Sequence, residues 1–427
     1  MQSHYHHRRL SSRRAARGAS VAMACLALAV ILAPRDAPAQ VGPQGAAASA
    51  AAASADAAAY WTPERMRNAI PMELLAVPPA GAAVSASAER QLPPDARPGY
   101  SPGFPPGPGP KPDPTVRYEL TEEQARALAA QPQTSPPFSP PALPTDFSDY
   151  APFQRWTWFG NYFTYPISTI GKLFFVQNGT SFVCSASVIA NNTIATAGHC
   201  VHDGSGSASG WSSSFLFCPS FTPSGCIRGS WGFTFEAVSG NWFASGATDR
   251  DYGCVVTAMT GTIFASPVGS ITGATGRAWN FPSRQATFAY GYPQAAPFLG
   301  NRIMATASTE WYEVNMTISD GLVSKYIGSD QTGGSSGGPW WLSLRHPDGS
   351  FERPDTDGSL DTDPFQAAAF PGPYINGVNS HKRCNAGGCP AGSIFTQEMG
   401  SPQFRNTAPD GDESEDLHQF CFSNGGT

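Results

Sequence analysis

The sequence predicts an all-β domain, a sandwich or a barrel, from about residue 150 onward. Two observations carry this. Aromatic and β-branched runs such as "GKLFFVQ", "SFVCSASVIA", "TIATAG", "YGCVVTAM" and "QATFAYGY" are short and bounded by Gly, Asn, Ser or Pro, as strands are. Amphipathic stretches of helical length are nearly absent between residues 160 and 410. With 427 residues the chain is long enough for a sizeable core.

The elements before that domain read differently. Arg8, Arg9, Arg13, Arg14 and Arg17 precede the apolar "VAMACLALAVIL" (21–32) and then "APAQ", the three parts of an export signal. The apolar run is shorter than the roughly 20 residues of a spanning helix, so residues 1–39 are expected to be a removed signal and not an anchor. The paired arginines also fit folded export by a twin-arginine route. Residues 41–150 hold 21 of the 40 prolines, together with an Ala-rich tract and "SPGFPPGPGPKPDP". Such a composition buries too little apolar surface to offset its chain entropy, so residues 40–150 read as a largely disordered propeptide or linker. Two helical candidates interrupt it, "TPERMRNAIPMELLAV" (62–77) and "TEEQARALAAQ" (121–131), the second with Thr121 and Gln124 as a capping box. At the other end "DGDESED" (410–416) reads as a solvated acidic segment.

Charge and cysteine usage narrow the function classes. The formal net charge is -6 and no Lys/Arg run follows the first few residues, so no electrostatic footprint for nucleic acid exists. Nine cysteines include Cys25 inside the signal, which leaves an even eight in an exported chain. Disulfides are the expected use, since the spacing suggests no zinc site. Short loops suggest Cys218 with Cys226 and Cys384 with Cys389; Cys254 and Cys421 remain, and Cys254 reads as a buried free thiol.

Three stretches carry candidate chemistry. In "CSASVIANNTIATAGHC" two strands around the "ANN" turn would bring Cys184 and Cys200 together, and a bridge there would pin the backbone beside His199. In "DQTGGSSGGPWW" (330–341) a serine lies among glycines. A serine hydroxyl needs a base within hydrogen-bond reach and donors for the oxyanion formed on attack. The glycines allow a turn that points the N–H groups of Gly334 and Ser336 at one spot. In "TDRDYGCVV" (248–256) Asp251 lies directly before a strand-like run, where an acid that orients a base would be held; Asp249 is its neighbour.

"TAGHC", "DYG" and "GGSSGGP", in that order, resemble the His, Asp and Ser motifs of the trypsin/chymotrypsin-type serine peptidases. The resemblance spans roughly residues 155–400 and includes the sixteen-residue cysteine spacing. "YPISTIGKLFF", "SFVCSASVI" and "GGSSGGPWW" are most similar to secreted bacterial members related to the glutamyl endopeptidases. The resemblance implies a double β-barrel of the chymotrypsin type within residues 151–427, with barrels at about 151–260 and 261–405 and a C-terminal tail. It also implies a serine endopeptidase in which Ser336 attacks, His199 shuttles the proton, Asp251 orients His199 and the N–H groups of Gly334 and Ser336 bind the oxyanion. Ser335 competes as nucleophile, but Ser336 precedes "GGP" as in the family.

The specificity pocket stays open. Asp330, six residues before Ser336, matches the acid that attracts Arg or Lys in trypsin-like enzymes, whereas glutamyl-specific relatives use a His in the pocket wall. Here Ser380 matches the pocket serine, with Asn379 before it and His381 after it. Ser335 stands where trypsin-like zymogens carry an Asp, so their amine-to-Asp switch cannot operate, and removal of residues 40–150 is the expected route to an open cleft.

Two rivals remain. "GSSGG" fits the G-x-S-x-G elbow of α/β-hydrolase esterases, which would need alternating helices and strands. A chymotrypsin-fold protein without turnover could serve as a binding module. The expected protein is secreted to the periplasm or medium, acts on proteins or peptides as a monomer, binds neither nucleic acid nor membrane once its signal is gone, and uses no cofactor and no metal.

Overall fold

A computed structural model describes residues 42–47, 53–78, 84–85, 97–120, 122, 152–281, 286–314, 316, 323–342, 373–385, 388–390, 392, 394–406 and 411–427. The signal segment and the 121–131 capping-box candidate lie outside these residues, except for Glu122. Among the described residues no helix is long and apolar enough to cross a membrane.

Six short strands come from the Pro/Ala-rich region: β1 (Gln44–Ala47), β2 (Ile70–Pro71), β3 (Leu74–Ala76), β4 (Val84–Ser85), β5 (Gly99–Ser101) and β6 (Tyr118–Glu119). Seven follow in the first half of the main domain: β7 (Phe153–Thr157), β8 (Ile170–Gln177), β9 (Thr180–Val188), β10 (Thr193–Thr196), β11 (Ser213–Pro219), β12 (Phe233–Val238) and β13 (Gly253–Thr257). The second half supplies β14 (Gly276–Trp279), β15 (Ala286–Gly291), β16 (Met304–Val314), β17 (Ser324–Gly328), β18 (Pro339–Leu342), β19 (Tyr374–Val378), β20 (His381–Arg383) and β21 (Glu398–Pro402).

These strands form two sheets, as expected for an all-β double barrel: β8–β13 build the first and β14–β21 the second, which also takes β7, while β1–β6 add to both. The first has the order β1-β12-β13-β10-β9-β8-β11 with β2 beside β9; the second runs β3-β20-β21-β17-β16-β15-β18-β19-β14-β5-β6, with β4 and β7 on β16. The α/β-hydrolase rival has no support, because the described helices are short and do not alternate with the strands.

Local chemistry explains the first sheet. β8 and β9 meet through Asn178 and Gly179, both at positive φ (50° and 75°), the two-residue turn whose twist matches paired strands. Their inward residues Leu173, Phe175, Cys184 and Val188 are buried and join Ile194 and Val255 in one core. The expected turn after β9 is present at residues 189–192, and the Cys184–Cys200 bridge closes the two strands at the end away from it.

The halves are stitched by Ser185 of β9. Its N–H donates to Ser336 O at 2.7 Å, its Oγ donates to Gly334 O at 2.9 Å, and Tyr292 N–H donates to its Oγ at 2.9 Å. One serine thus fixes the 334–336 loop of the second half against the first.

Several expectations are corrected. The 62–77 stretch is helical only over Pro63–Asn68, capped by Thr62 Oγ1, and then continues as β2 and β3. Pro71 is the reason: its ring disfavours helical geometry at Ile70 and it has no N–H to donate. Cys254 is no free thiol but is bonded to Cys421, while Cys218–Cys226 and Cys384–Cys389 form as the loop lengths suggested. Of the acidic 410–416 stretch, residues 411–416 are described, and they are not a solvated tail. Asp412 accepts from Ser239 Oγ and from the Gly240 and Asn241 N–H groups, opening the helix Gly240–Ser245. Glu415 begins the helix Ser414–Ser423 and pairs with buried Arg277 at 3.1 Å.

Burial alone would raise the Glu415 carboxyl, but Arg277 and His418 outweigh it and hold the group at about 2. A depressed carboxylate stabilises the fold above its unfolded pKa, and that contribution is lost as pH falls from about 4.5 toward 2. Glu415→Gln leaves Arg277 buried without its counter-charge and is expected to cost about 3 kcal/mol at neutral pH. Denaturant melts should show the gap between the two proteins closing on acidification through that window.

Candidate active site

His199 sits in the single turn Gly198–Cys200 that ends β10, tied by Cys200 to Cys184 of the neighbouring strand. Asp251 closes the turn Thr248–Arg250 just before β13, the strand paired with β10. Pairing of β10 with β13 therefore brings the acid to the imidazole. Asp251 Oδ2 accepts from His199 Nδ1 at 2.8 Å and its Oδ1 accepts from the His199 backbone N–H at 2.7 Å. These bonds fall to Asp251 and not to Asp249.

The third donor comes from the second half. Ser380 Oγ donates to Asp251 Oδ2 at 2.6 Å. Asp251 is completely buried, which would raise its pKa, but His199 and the three donors hold the carboxyl below the usual range. With its Nδ1–H given to Asp251, His199 presents Nε2 as a free lone pair; among the described residues that atom is buried and has no hydrogen-bond partner.

Behind Ser380 the bonds continue. His381 Nδ1 lies 2.7 Å from Ser380 Oγ, and its Nε2 lies 2.8 Å from Tyr326 Oη. The Ser380 hydroxyl has one proton and gives it to Asp251, so His381 Nδ1–H donates to Ser380 and the Tyr326 hydroxyl donates to Nε2. This tautomer requires neutral His381, and burial lowers its pKa to about 4. Sequence reading placed Ser380 and His381 in a pocket wall; in the structure both side chains are buried, with Ser380 bonded to the acid and His381 behind it.

The serine loop follows β17. Gly334 and Gly337 have φ of 92° and 80°, a left-handed backbone open to glycine. At Gly337 a Cβ would also clash with Thr196 Oγ1 and Ser185 O. Ser335 turns its Oγ to Thr332 O at 2.8 Å. Ser336 turns the other way: its hydroxyl donates to the Met72 carbonyl at 3.1 Å, and Gly334 N–H donates to the same oxygen at 2.8 Å. An N–H and a hydroxyl thus converge on one carbonyl oxygen.

Asp330 is ion-paired through Oδ2 with Arg155 of β7. Lys382, next to His381, is buried and donates to the carbonyls of Ser329 (2.8 Å), Thr396 (3.1 Å) and Glu398 (2.5 Å); burial lowers its pKa to about 8. Sequence reasoning missed Lys382, Arg155, Tyr326 and Met72. Only Met72 had a legible signal, the Pro71 that forbids the helix assigned there. The donor atoms of Cys184, His199 and Cys200 lie within 4.8 Å of one another, but both thiols are consumed by their disulfide, so these three residues do not form a ligand set.

Comparison with known proteins matches residues 166–215 to the trypsin family model. A thermostable serine protease, AL20, from an extremophilic microorganism is 28% identical, with 60% of this chain and 96% of that chain covered and a TM-score of 0.44. The protease Anisep from Arthrobacter nicotinovorans is 24% identical over 55% and 90% of the two chains, with a TM-score of 0.41. A Glu endopeptidase solved in complex with MPD is 18% identical over 64% and 97%, with a TM-score of 0.39. At these TM-scores the likenesses add nothing to the fold described above. No curated protein matches the chain significantly in sequence.

Gly337→Ala is expected to lower stability by about 2 kcal/mol or more, from the left-handed backbone and the clash at Thr196 and Ser185 together. Thermal melts of the two proteins check this. The segment that carries His199 and its disulfide matches the trypsin family, and over it the chain resembles the trypsin/chymotrypsin-type serine peptidases.

Proposed function

We propose that the protein is a secreted serine endopeptidase that cleaves peptide bonds through an acyl-enzyme. The observation that carries this reading is the pair of bonds from His199 to a fully buried Asp251, which leaves Nε2 as the free base. Ser336 would attack the scissile carbonyl, giving its proton to His199, which then passes it to the leaving amine while Asp251 stabilises the imidazolium. The N–H groups of Gly334 and Ser336 would bind the oxyanion; the bond from Gly334 N–H to a carbonyl oxygen supports the first of these. Residues 1–39 act as the export signal and 40–150 as a prosegment in this reading.

A fluorophosphonate probe tests it on protein freed of its prosegment. Labelling is expected to vanish in Ser336→Ala and persist in Ser335→Ala. Asp251→Asn is expected to lower kcat about 10⁴-fold with the fold intact, since the wrong imidazole tautomer is then favoured. Absence of labelling in correctly processed protein favours the non-catalytic binding reading.

The pocket is the second point. Asp330 already holds Arg155, and the Lys382 cation is close enough to sense Asp330, so a basic substrate side chain gains little there. A digest of a diverse peptide mixture, read by mass spectrometry, is expected to show cuts that do not concentrate after Arg or Lys. Enrichment after those residues would return Asp330 to the trypsin-like role.

A further inference from the structure

The stretch Ala69–Ala76 belongs to the Pro-rich region in sequence but crosses the candidate site in space. β2 lies beside β9, with Ile70 against Phe182 and Pro71 against Val183. Met72 N–H donates to Val183 O at 3.0 Å, and Met72 O takes both the Gly334 N–H and the Ser336 hydroxyl. β3 then lies beside β20, with Leu74, Leu75 and Ala76 against His381, Lys382 and Arg383, and Cys384 N–H donates to Ala76 O at 2.8 Å. Gln294 Nε2 donates to Ala69 O at 2.9 Å and anchors the near end. Further back Trp61 is buried against Phe174, its Nε1–H donating to Ser214 O.

The contact is close. A Cβ on Gly333 would come within 3.1 to 3.2 Å of Pro71 O, Met72 O and Glu73 Cβ, so the bare backbone of this loop is what lets the strap approach. With the strap in place Ser336 and His199 are each only 5% exposed. The groove is thus a peptide-binding surface filled by a segment of its own chain.

The direction of that segment matters. In acyl transfer the carbonyl in the oxyanion site belongs to the acyl residue, whose side chain fills the specificity pocket, and the amine half leaves on the far side toward the general acid. Here the residues before the Met72 carbonyl lie along β9, next to the Cys184–Cys200 bridge that carries His199. The residues after it, the amine half, lie along β20 on the Ser380–Lys382 wall. Both pairings are parallel.

We propose that Ala69–Ala76 is a built-in inhibitor that fills the substrate groove with reversed polarity, so that the Met72–Glu73 bond meets Ser336 and Gly334 but is not cleaved. This rests on the peptidase reading above. It goes beyond a masking prosegment by naming the segment, its contacts and its direction. Release then requires cleavage elsewhere in the chain or in trans, followed by departure of the strap.

The test compares fluorophosphonate labelling of the full chain with that of Met72→Pro/Ala76→Asp. This variant removes the N–H given to Val183 and places a charge at the buried Ala76. Its labelling is expected to be at least about tenfold faster, because a strap closed nine-tenths of the time or more leaves a tenth or less of the molecules open. A free peptide of residues 68–77 should slow the variant again and be recovered intact. Where the double variant does not fold by circular dichroism, Met72→Pro alone takes its place. Equal labelling rates for wild type and variant overturn inhibition, and a cut between Met72 and Glu73 overturns the reversed polarity. Folded variants that never label at Ser336 bring down the peptidase reading itself, and the inhibitor with it.

Discussion

Asp251 is a carboxylate with no exposure to water, and a lone charge in that position would be prohibitive. Its charge is retained because three donors meet it: the backbone N–H and Nδ1 of His199, and the hydroxyl of Ser380. The first two belong to the sheet that carries Asp251, the third to the other sheet. The carboxylate is therefore satisfied only when the two halves dock in one register. That docking is reinforced by Ser185, which holds Ser336 O and Gly334 O of the serine loop against the first half. Tyr326 and His381 extend the same chain of bonds into the second half, fixing the Ser380 hydroxyl by leaving it one direction in which to donate.

The termini of the chain serve the same docking. The helix Ser414–Ser423 is bonded by Cys421 to Cys254 of β13, the strand that follows Asp251, and Arg277–Glu415 joins that helix to β14. Asp412 opens the helix Gly240–Ser245, whose Trp242 Nε1–H donates to His202 O just after the turn that holds His199. From the N-terminal side, Trp61 packed on Phe174 of the first sheet and β3 on the second hold the 69–76 segment across the junction.

How legible this was in the sequence depends on the range of the forces involved. The strands were legible because short apolar runs between turn formers carry their own signal, and the Asn178–Gly179 hairpin is specified by two adjacent residues. The Cys184–Cys200 disulfide was legible through its spacing, and the turn around residues 334–337 through the glycines that its backbone requires. The helix expected over 62–77 stops at Asn68 because Pro71 imposes extended geometry on Ile70. The 410–416 stretch failed for another reason: its acids resemble any solvated run until Arg277, Ser239 and the N–H groups of residues 240 and 241 are brought to them from more than a hundred residues away.

The sequence by itself determined the all-β class, the hairpins and the cysteines that close short loops, because each depends on neighbours along the chain. Tertiary structure alone decided that Asp251 and not Asp249 receives His199, that the Ser380 hydroxyl is given to Asp251, that Asp330 is met by Arg155, and that the Met72 carbonyl lies against Ser336. Each of these pairs residues far apart in the chain. Which partner a buried polar group finds is fixed by how the two sheets pack, since only that packing supplies the donors that make its burial affordable.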